Sequence, residues 1–396
     1  MINLPKNVQE IIKTLESAGF EAFIVGGCVR DSIRGVTPKD WDITTSAKPE
    51  EVKTLFQRTI NTGIKHGTIT VLLEKEHYEV TTYRIDGEYL DNRRPSSVSF
   101  GNNIIEDLSR RDFTMNAIAY SQNRGFIDPF FGCKDIKNGI IRCVGDPIKR
   151  FNEDALRMIR AIRFAGVLGF NVDDDVLVAI KRLKKNLLNI SAERIREELG
   201  KLLLSNFSEA FFLLENTELL TFVLLGYKFE GDLKEIVDQI KRCPVDEPMR
   251  LALFLQKIGT DKLLQKLRFD NKTIKETMLY IQKLQSSLPQ NRYEIKKMLN
   301  VLGLELFAKL MKLKQIVRTD ENIFNEINKI RAEATDIVEK NECFSLRQLA
   351  VNGDDLKKVG VTGGKLIGDI LARLLDDVMK DPSLNNSELV LRIMNF

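Results

Sequence analysis

Phe23–Ile24–Val25–Gly26–Gly27–Cys28–Val29–Arg30–Asp31, followed by Lys39–Asp40–Trp41–Asp42–Ile43, is the part of this 396-residue chain that decides the fold. A short apolar strand from Glu21 to Val25 runs into two glycines, and a helix is expected to open from about Cys28. Backbone N–H groups at a helix start face whatever sits at the turn. Unsatisfied donors and the helix dipole both favour an anion there, phosphate above all. Arg30, one turn in, could add a charge-assisted contact. After Pro38 the segment Asp40 to Thr44 alternates as a strand should, which projects Asp40 and Asp42 from one face. Two adjacent carboxylates are costly unless a cation neutralises them. Divalent ions held there could activate an attacking hydroxyl and steady a departing pyrophosphate. A lone Gly-Gly is a tight turn, and a lone Asp-x-Asp is two surface acids; their close succession is the specific signal.

Outward from this segment, the first third reads as mixed α/β. Residues 6–18 carry Val8, Ile11, Ile12 and Leu15 at helical spacing, with Gly19 as a stop. Thr68 to Leu73 and Tyr78 to Arg84 are β-rich runs separated by Glu74–Lys75–Glu76–His77, the pattern of a hairpin. From about residue 146 helix follows helix, with Lys/Glu surfaces and Leu/Ile/Phe stripes. The formal charge of +4 permits a nucleic-acid partner without requiring one. The five cysteines form no Cys-x-x-Cys, which excludes a zinc ribbon or a disulfide framework. With only two histidines, His66 and His77, histidine–aspartate phosphohydrolase chemistry is excluded and a Ser-His-Asp triad is disfavoured. A catalytic metal must then sit on carboxylates, and hard oxygen ligands point to magnesium (Mg2+). The N-terminal residues lack the pattern of a secretion signal, and no apolar run reaches the roughly 20 residues that span a bilayer. A cytoplasmic protein with no membrane partner is expected.

The Gly-Gly, Arg and Asp-x-Asp pattern resembles the minimal signature of the DNA polymerase β nucleotidyltransferase superfamily. More narrowly, it is similar to class II CCA-adding enzymes and their bacterial poly(A) polymerase relatives. Five further stretches carry the narrower match: Tyr83 to Pro95, Glu106 to Ala117, Asp128 to Gly132, Glu153 to Phe164 and Ser191 to Leu199. Leu349 to Leu356 extends it, less specifically, toward the C-terminus. The resemblance implies an α+β fold: a polymerase β-like palm head over 1–145, then an elongated all-helical neck (146–205), body (206–275) and tail (276–396). It implies Asp40 and Asp42 as catalytic metal ligands, with Gly27, Arg30, Arg111, Asp154, Arg157, Arg160 and Arg163 binding the nucleotide. The partners implied are CTP, ATP and a tRNA held at its acceptor end and elbow, with a homodimer left open. The activity implied is addition of C, C and A to the tRNA 3′ end. The segment from Arg84 to Pro95 resembles the flexible loop that CC-only enzymes lack. A-adding enzymes keep it, so terminal-A addition stays open, with poly(A) synthesis a weaker alternative for want of a strongly basic tail.

The residues of 153–166 support this reading by themselves. At about 100° per residue, Ala155, Met158, Ile159, Ile162, Ala165 and Gly166 share one face of a helix, and Arg157, Arg160 and Arg163 fan over the other. Asp154 precedes Arg157 by one turn, as an i,i+3 ion pair would. Such a pair can act as a template made of protein. The carboxylate accepts from the exocyclic amine of cytosine or adenine, and the guanidinium donates to ring acceptors. Uracil and guanine place a carbonyl where that amine stands, leaving buried polar atoms unsatisfied. Arg111 is the candidate for the triphosphate or ribose. Asp112 and Asn116 read as organisers of the head–neck boundary, Glu79 as a surface strand acid, and His66 as turn structure. Lys181–Arg182–Leu183–Lys184–Lys185 and the run Lys296, Lys297, Lys309, Lys312, Lys314 and Arg318 are basic faces within reach of RNA phosphates. Val359 to Leu366 imitates a P-loop but carries Leu366 where Ser or Thr must bind magnesium, so a turn before a helix is expected.

Overall fold

The computed structural model describes residues 1–87, 97–258 and 261–386. The chain forms two compact units, Met1–Val237 with Thr260–Asp270, and Asp238–Gly259 with Asn271–Phe396. Among the described residues no helix is long and apolar enough to cross a membrane.

The first unit is built on a seven-stranded mixed sheet. Helix α1 (Lys6–Ser17) buries Val8, Ile11, Ile12 and Leu15, the stripe its spacing predicts. Strand β1 (Ala22–Val25) is buried throughout, and α2 (Gly27–Ile33) follows the glycine turn. Then come β2 (Ile43–Thr45), α3 (Pro49–Leu55), β3 (Thr59–Gly63), β4 (Thr68–Leu73) and β5 (Glu76–Thr82). Strands β6 (Arg84–Asp86) and β7 (Val98–Phe100) form a separate ribbon, after which α4 (Ile104–Ser109), β8 (Ala119–Ser121) and β9 (Gly125–Ile127) complete the layer. The strand order is β3-β4-β5-β2-β1-β8-β9. Only the β2–β5 pairing within it is parallel. This explains why β1 reads as an unbroken apolar run: it lies between β2 and β8, covered on both faces.

Two strand boundaries differ from expectation. The β4–β5 hairpin turns on Glu74 and Lys75 alone, with Glu74 at φ 56°, so β5 begins at Glu76 and not Tyr78. The acidic strand is shorter than its alternation suggested: β2 starts at Ile43, and Asp40 lies in a bend before it. Of the loop from Arg84 to Pro95, residues from Glu88 onward lie outside the described residues.

Beyond the sheet come α5 (Gly132–Asn138), α6 (Pro147–Glu153), α7 (Leu156–Leu168), α8 (Asp174–Leu183) and α9 (Ala192–Leu203). The single helix expected over 153–166 is therefore two helices, with Asp154 (φ −142°, ψ 104°) at the break. The second unit is helical. The helix Arg292–Val317 is interrupted at Gly303 (φ 69°, ψ 169°) and packs beside Glu321–Glu339. Gly363 opens the helix Gly364–Lys380, so the false P-loop is a turn before a helix. Part of the basic run proposed to face RNA is core. Lys296 is buried on Glu342 (2.8 Å), and Lys314 is buried with its Nζ donating to the carbonyls of Leu284 (3.3 Å) and Ser286 (2.5 Å). In the first unit Lys181 and Lys184 both pair with Glu218.

Candidate active site

The turn between β1 and α2 is held open by backbone conformation. Gly26 stands at φ 79°, ψ −127°, a combination that side-chain-bearing residues avoid. A Cβ there would come within 3.1 Å of Arg111 Nη1, so the absent side chain is what lets that guanidinium approach the turn. Gly27 is the first residue of α2. The amide of Val25 donates to the carbonyl of Asp42 (3.0 Å), tying the acidic segment to the end of β1. The parallel register pairs Ile43 with Val80, which sets Glu79 level with Asp42 on the neighbouring strand.

Asp40 and Asp42 are both exposed. Asp42 is nonetheless crowded by protein, and this desolvation raises its carboxyl above the usual range. Repulsion from Glu79 adds to the rise, Arg111 opposes it, and Asp40 contributes further. Glu79 is an exposed strand residue, as expected, and it lies close enough to act on Asp42 together with Arg111 and Asp40. Arg111 spends Nη2 on Asp107 (3.2 Å), while its Nε is buried without a hydrogen-bond partner. Asp107, which sequence reasoning missed, is fully buried; against the upward push of burial, Arg111 and Arg110 hold its carboxyl below the usual range. Its only sequence signal was an acid three and four residues before two arginines on a short helix.

The second set of predicted residues is arranged differently from expectation. Asp154 does not pair with Arg157. Its two oxygens accept from Arg194 Nη1 (3.1 Å) and Nη2 (2.7 Å), and Oδ1 also accepts from the Leu156 amide (3.1 Å). Arg157, nearly buried, pairs with Glu153 (2.7 Å) and donates to the carbonyls of Arg150 (3.1 Å) and Arg110 (2.9 Å). The physical cause is the break at Asp154. Leaving the helix turns the carboxylate from the Arg157 side toward α9, where Arg194 meets it.

Arg30, Arg160 and Arg163 belong to a buried relay. Arg30 holds Asp31 through Nε and Nη2 (2.9 Å each) and donates from Nη1 to Asn116 (2.8 Å). Asn116 donates to Asp112 Oδ1 (3.1 Å), and Asp112 Oδ2 accepts from Arg160 Nε (2.9 Å) and Nη2 (2.6 Å). Arg160 (3.4 Å) and Arg163 (2.8 Å) then share Glu198. Burial pushes Asp112 up, but Arg160 and Asn116 prevail and hold its carboxyl far below the carboxylate range. Asp112 thus organises the junction between the sheet and α7, as expected. A cavity of about 950 Å³, lined by Ile85, Ser109, Arg110, Lys149, Arg150 and Glu153 among others, borders α6 without reaching Asp40 or Asp42.

A mixed sheet whose first strand ends in a glycine turn, with an acidic pair beside it and an arginine leaning into it, defines a nucleotidyltransferase head of the polymerase β type. Comparison with known proteins agrees. The family described as "Poly A polymerase head domain" matches residues 22–142, "Probable RNA and SrmB- binding site of polymerase A" matches 169–229, and a tRNA nucleotidyltransferase domain matches 245–394. A CCA-adding enzyme from Leuconostoc mesenteroides is 35% identical over 390 residues, covering 96% of this chain and 94% of the relative. One from a Geobacillus species is 38% identical, covering 96% and 93%. The crystal structure of the Bacillus stearothermophilus CCA-adding enzyme in complex with CTP superposes with a TM-score of 0.83 at 32% identity, over 98% of this chain and 96% of that one. The chain belongs to the CCA-adding enzyme family.

Proposed function

We propose that this protein adds C, C and A to the 3′ end of tRNA from CTP and ATP, without a nucleic-acid template, releasing pyrophosphate. The observation that carries the reading is the placement of Asp42, level with Glu79 on the next strand, and of Arg111 beside the Gly26–Gly27 turn, in a chain that matches CCA-adding enzymes over 96% of its length. The donor set suits magnesium. Its oxygens belong to carboxylates whose repulsion a cation relieves. Among the described residues no cluster of three or more His, Cys, Asp or Glu side chains forms a closed metal cage. An ion on Asp40 and Asp42 would keep positions for water and phosphate, as Mg2+ does. When bound, it would favour ionisation of the attacking hydroxyl and stabilise charge on the pyrophosphate.

The chain's own groups supply positioning and electrostatics. The tRNA 3′-hydroxyl attacks the α-phosphate in line. Gly27 and Arg111 hold the triphosphate, Arg111 through the Nη1 that lies against the Gly26 turn. Arg30, Arg160 and Arg163 fix the nucleotide site through the relay that joins the turn to α7. Asp154 and Arg157 read the base, Asp154 from the helix break and Arg157 from the first turn of α7. The head at 1–145, neck at 146–205, body at 206–275 and tail at 276–396 divide the labour, with the tail on the tRNA elbow. The setting is the cytoplasm, and light scattering decides between a monomer and a homodimer.

The deciding assay is primer extension on tRNA transcripts ending before the CCA, after C, and after CC, given CTP, ATP or both with magnesium. Growth of the shortest by two with CTP alone, and by three with both, is expected. Extension of only the CC-ending tRNA, and only with ATP, would assign terminal-A addition instead. Retained incorporation by an Asp40→Ala, Asp42→Ala double variant would overturn the catalytic assignment.

A further inference from the structure

The second unit carries a cavity of about 500 Å³ unlike its other basic surfaces. Arg242, Lys312 and Arg318 converge on it, joined by Gln315, Glu321 and Phe324. Several cations elsewhere in this unit are neutralised: Lys309 pairs with Asp246 and Glu305 (3.0 Å each), Lys296 with Glu342, and Arg292 with Asp336 (2.7 Å) and Glu342 (2.5 Å). Among the described residues Arg242, Lys312 and Arg318 have no carboxylate within ion-pair distance. Arg242 Nε donates to the Asp238 carbonyl (3.2 Å), and Arg318 Nη2 to the Ser286 carbonyl (2.9 Å). These contacts fix the two stems while leaving each guanidinium charge uncompensated. Three cations face one carboxylate, Glu321. The positive potential reaches the neighbouring core, where burial first, then Arg318 and Lys283, lower Lys314 to about 8. At the lip, Phe324 leaves 46% of its surface in solvent.

Resting on the tRNA reading above, we infer that this cavity is an RNA-binding site, taking a backbone phosphate among Arg242, Lys312 and Arg318 with an adjacent base stacked on Phe324. A phosphodiester is the anion that arrives with an aromatic face attached, and the site offers both complements. The volume lies in the range of small-ligand sites, roughly 300–1,000 Å³, and suits a single nucleotide unit. Thr319 and Glu321 also line the cavity and bring hydroxyl and carboxylate chemistry that suits a ribose 2′-hydroxyl. The contact reads no sequence. It positions the substrate and belongs to binding rather than chemistry.

The test uses the full chain with Arg242→Ala, Lys312→Ala (double), Phe324→Ala and Phe324→Tyr variants, each checked for an unchanged melting temperature. Filter binding of tRNA lacking its CCA end is measured across a salt series, beside steady-state kinetics with CTP and ATP. The double variant is expected to lower the salt slope by about 1, near one unit per lost phosphate contact. It should raise KM for tRNA at least 10-fold, with KM for CTP and kcat at saturating tRNA unchanged. Phe324→Ala should weaken tRNA binding by about 5- to 100-fold, and Phe324→Tyr should restore it. A folded double variant with unchanged salt slope and tRNA KM overturns the site while leaving the enzymatic reading intact. A melting temperature raised by inorganic phosphate in the native chain but not in the double variant, with tRNA KM unmoved, also overturns it in favour of a free-anion site. Absence of nucleotide incorporation by the native chain would strike the functional reading instead, and the binding series would still report on the cavity.

Discussion

Replacing Arg194 by methionine removes the cation that holds Asp154, a residue proposed to read the base, while keeping most of the side-chain volume. The native contact is two parallel hydrogen bonds, 2.7 and 3.1 Å, with Asp154 16% and Arg194 29% exposed at the side chain. Breaking a fully buried pair costs about 3–5 kcal/mol, and an exposed one about 0–1 kcal/mol. This pair lies between, so a loss of about 2 kcal/mol is expected. For a unit of this size that is roughly 4–8 °C in melting temperature. The catalytic effect has a separate origin. A carboxylate offers about four acceptor positions; Arg194 and the Leu156 amide take three, so the fourth is aimed. Without Arg194, binding a base must also order Asp154, a cost of roughly 0.5–1.5 kcal/mol. Preference for CTP over UTP should fall by about 3- to 10-fold, with kcat for CTP changed far less. The assay is competitive single-nucleotide addition, run on Arg194→Met, Asp154→Ala and the double variant. Additive effects on the CTP/UTP ratio would refute the idea that one residue acts through the other.

Three further predictions concern other parts of the chain. Gly26→Ala forces a side chain into a forbidden backbone region and toward Arg111. A loss of about 1–3 kcal/mol and a raised KM for both nucleotides are expected from melting and initial-rate measurements. Asp112→Asn strips the buried bidentate partner from Arg160, at about 3 kcal/mol near neutral pH. Because Asp112 is depressed when folded, its stabilisation is complete above the unfolded value of about 3.9 and fades as pH falls. The deficit in denaturant midpoints should therefore narrow between pH 4 and pH 2. Lys314 is lowered from 10.5 to about 8 by burial, with Arg318 and Lys283 adding to it. Between those two values the unfolded chain binds the extra proton, so the second unit should gain stability as pH rises from 8 toward 10.5, by up to about 3 kcal/mol. Lys314→Met should flatten that rise, and a native chain with no rise over the interval would contradict the buried-lysine account.

The sheet was legible because local pattern and tertiary role coincide in β1 and α1, where one buried face produces one period. The acidic pair was legible as chemistry and less so as geometry. Alternation suggested a strand from Asp40, but pairing to β1 begins at Ile43. The helix break at Asp154 was not visible because apolar periodicity continues through it. Aspartate can accept from an amide two residues on, as Oδ1 does from Leu156, and this competes with helix formation without disturbing the pattern. Arg194 escaped notice for another reason: its partner lies on a different helix, and sequence spacing holds no record of that approach. Lys296 and Lys314 looked like surface because lysines usually are; their long stems cross the core to acceptors that only the folded chain supplies.

The relay from Arg30 to Arg163 has an evolutionary consequence. Asn116 links Arg30 to Asp112, Asp112 accepts from Asn116 and Arg160, and Glu198 accepts from Arg160 and Arg163, so a change at any one leaves an unmatched charge or amide in its neighbours. Such a set tolerates drift only in concert. Lineages should exchange its members as a block, while residues around it diverge freely. A designer seeking altered nucleotide preference has more latitude at Glu153 and Arg194, which brace the base-reading residues from outside the block, than at any link within it.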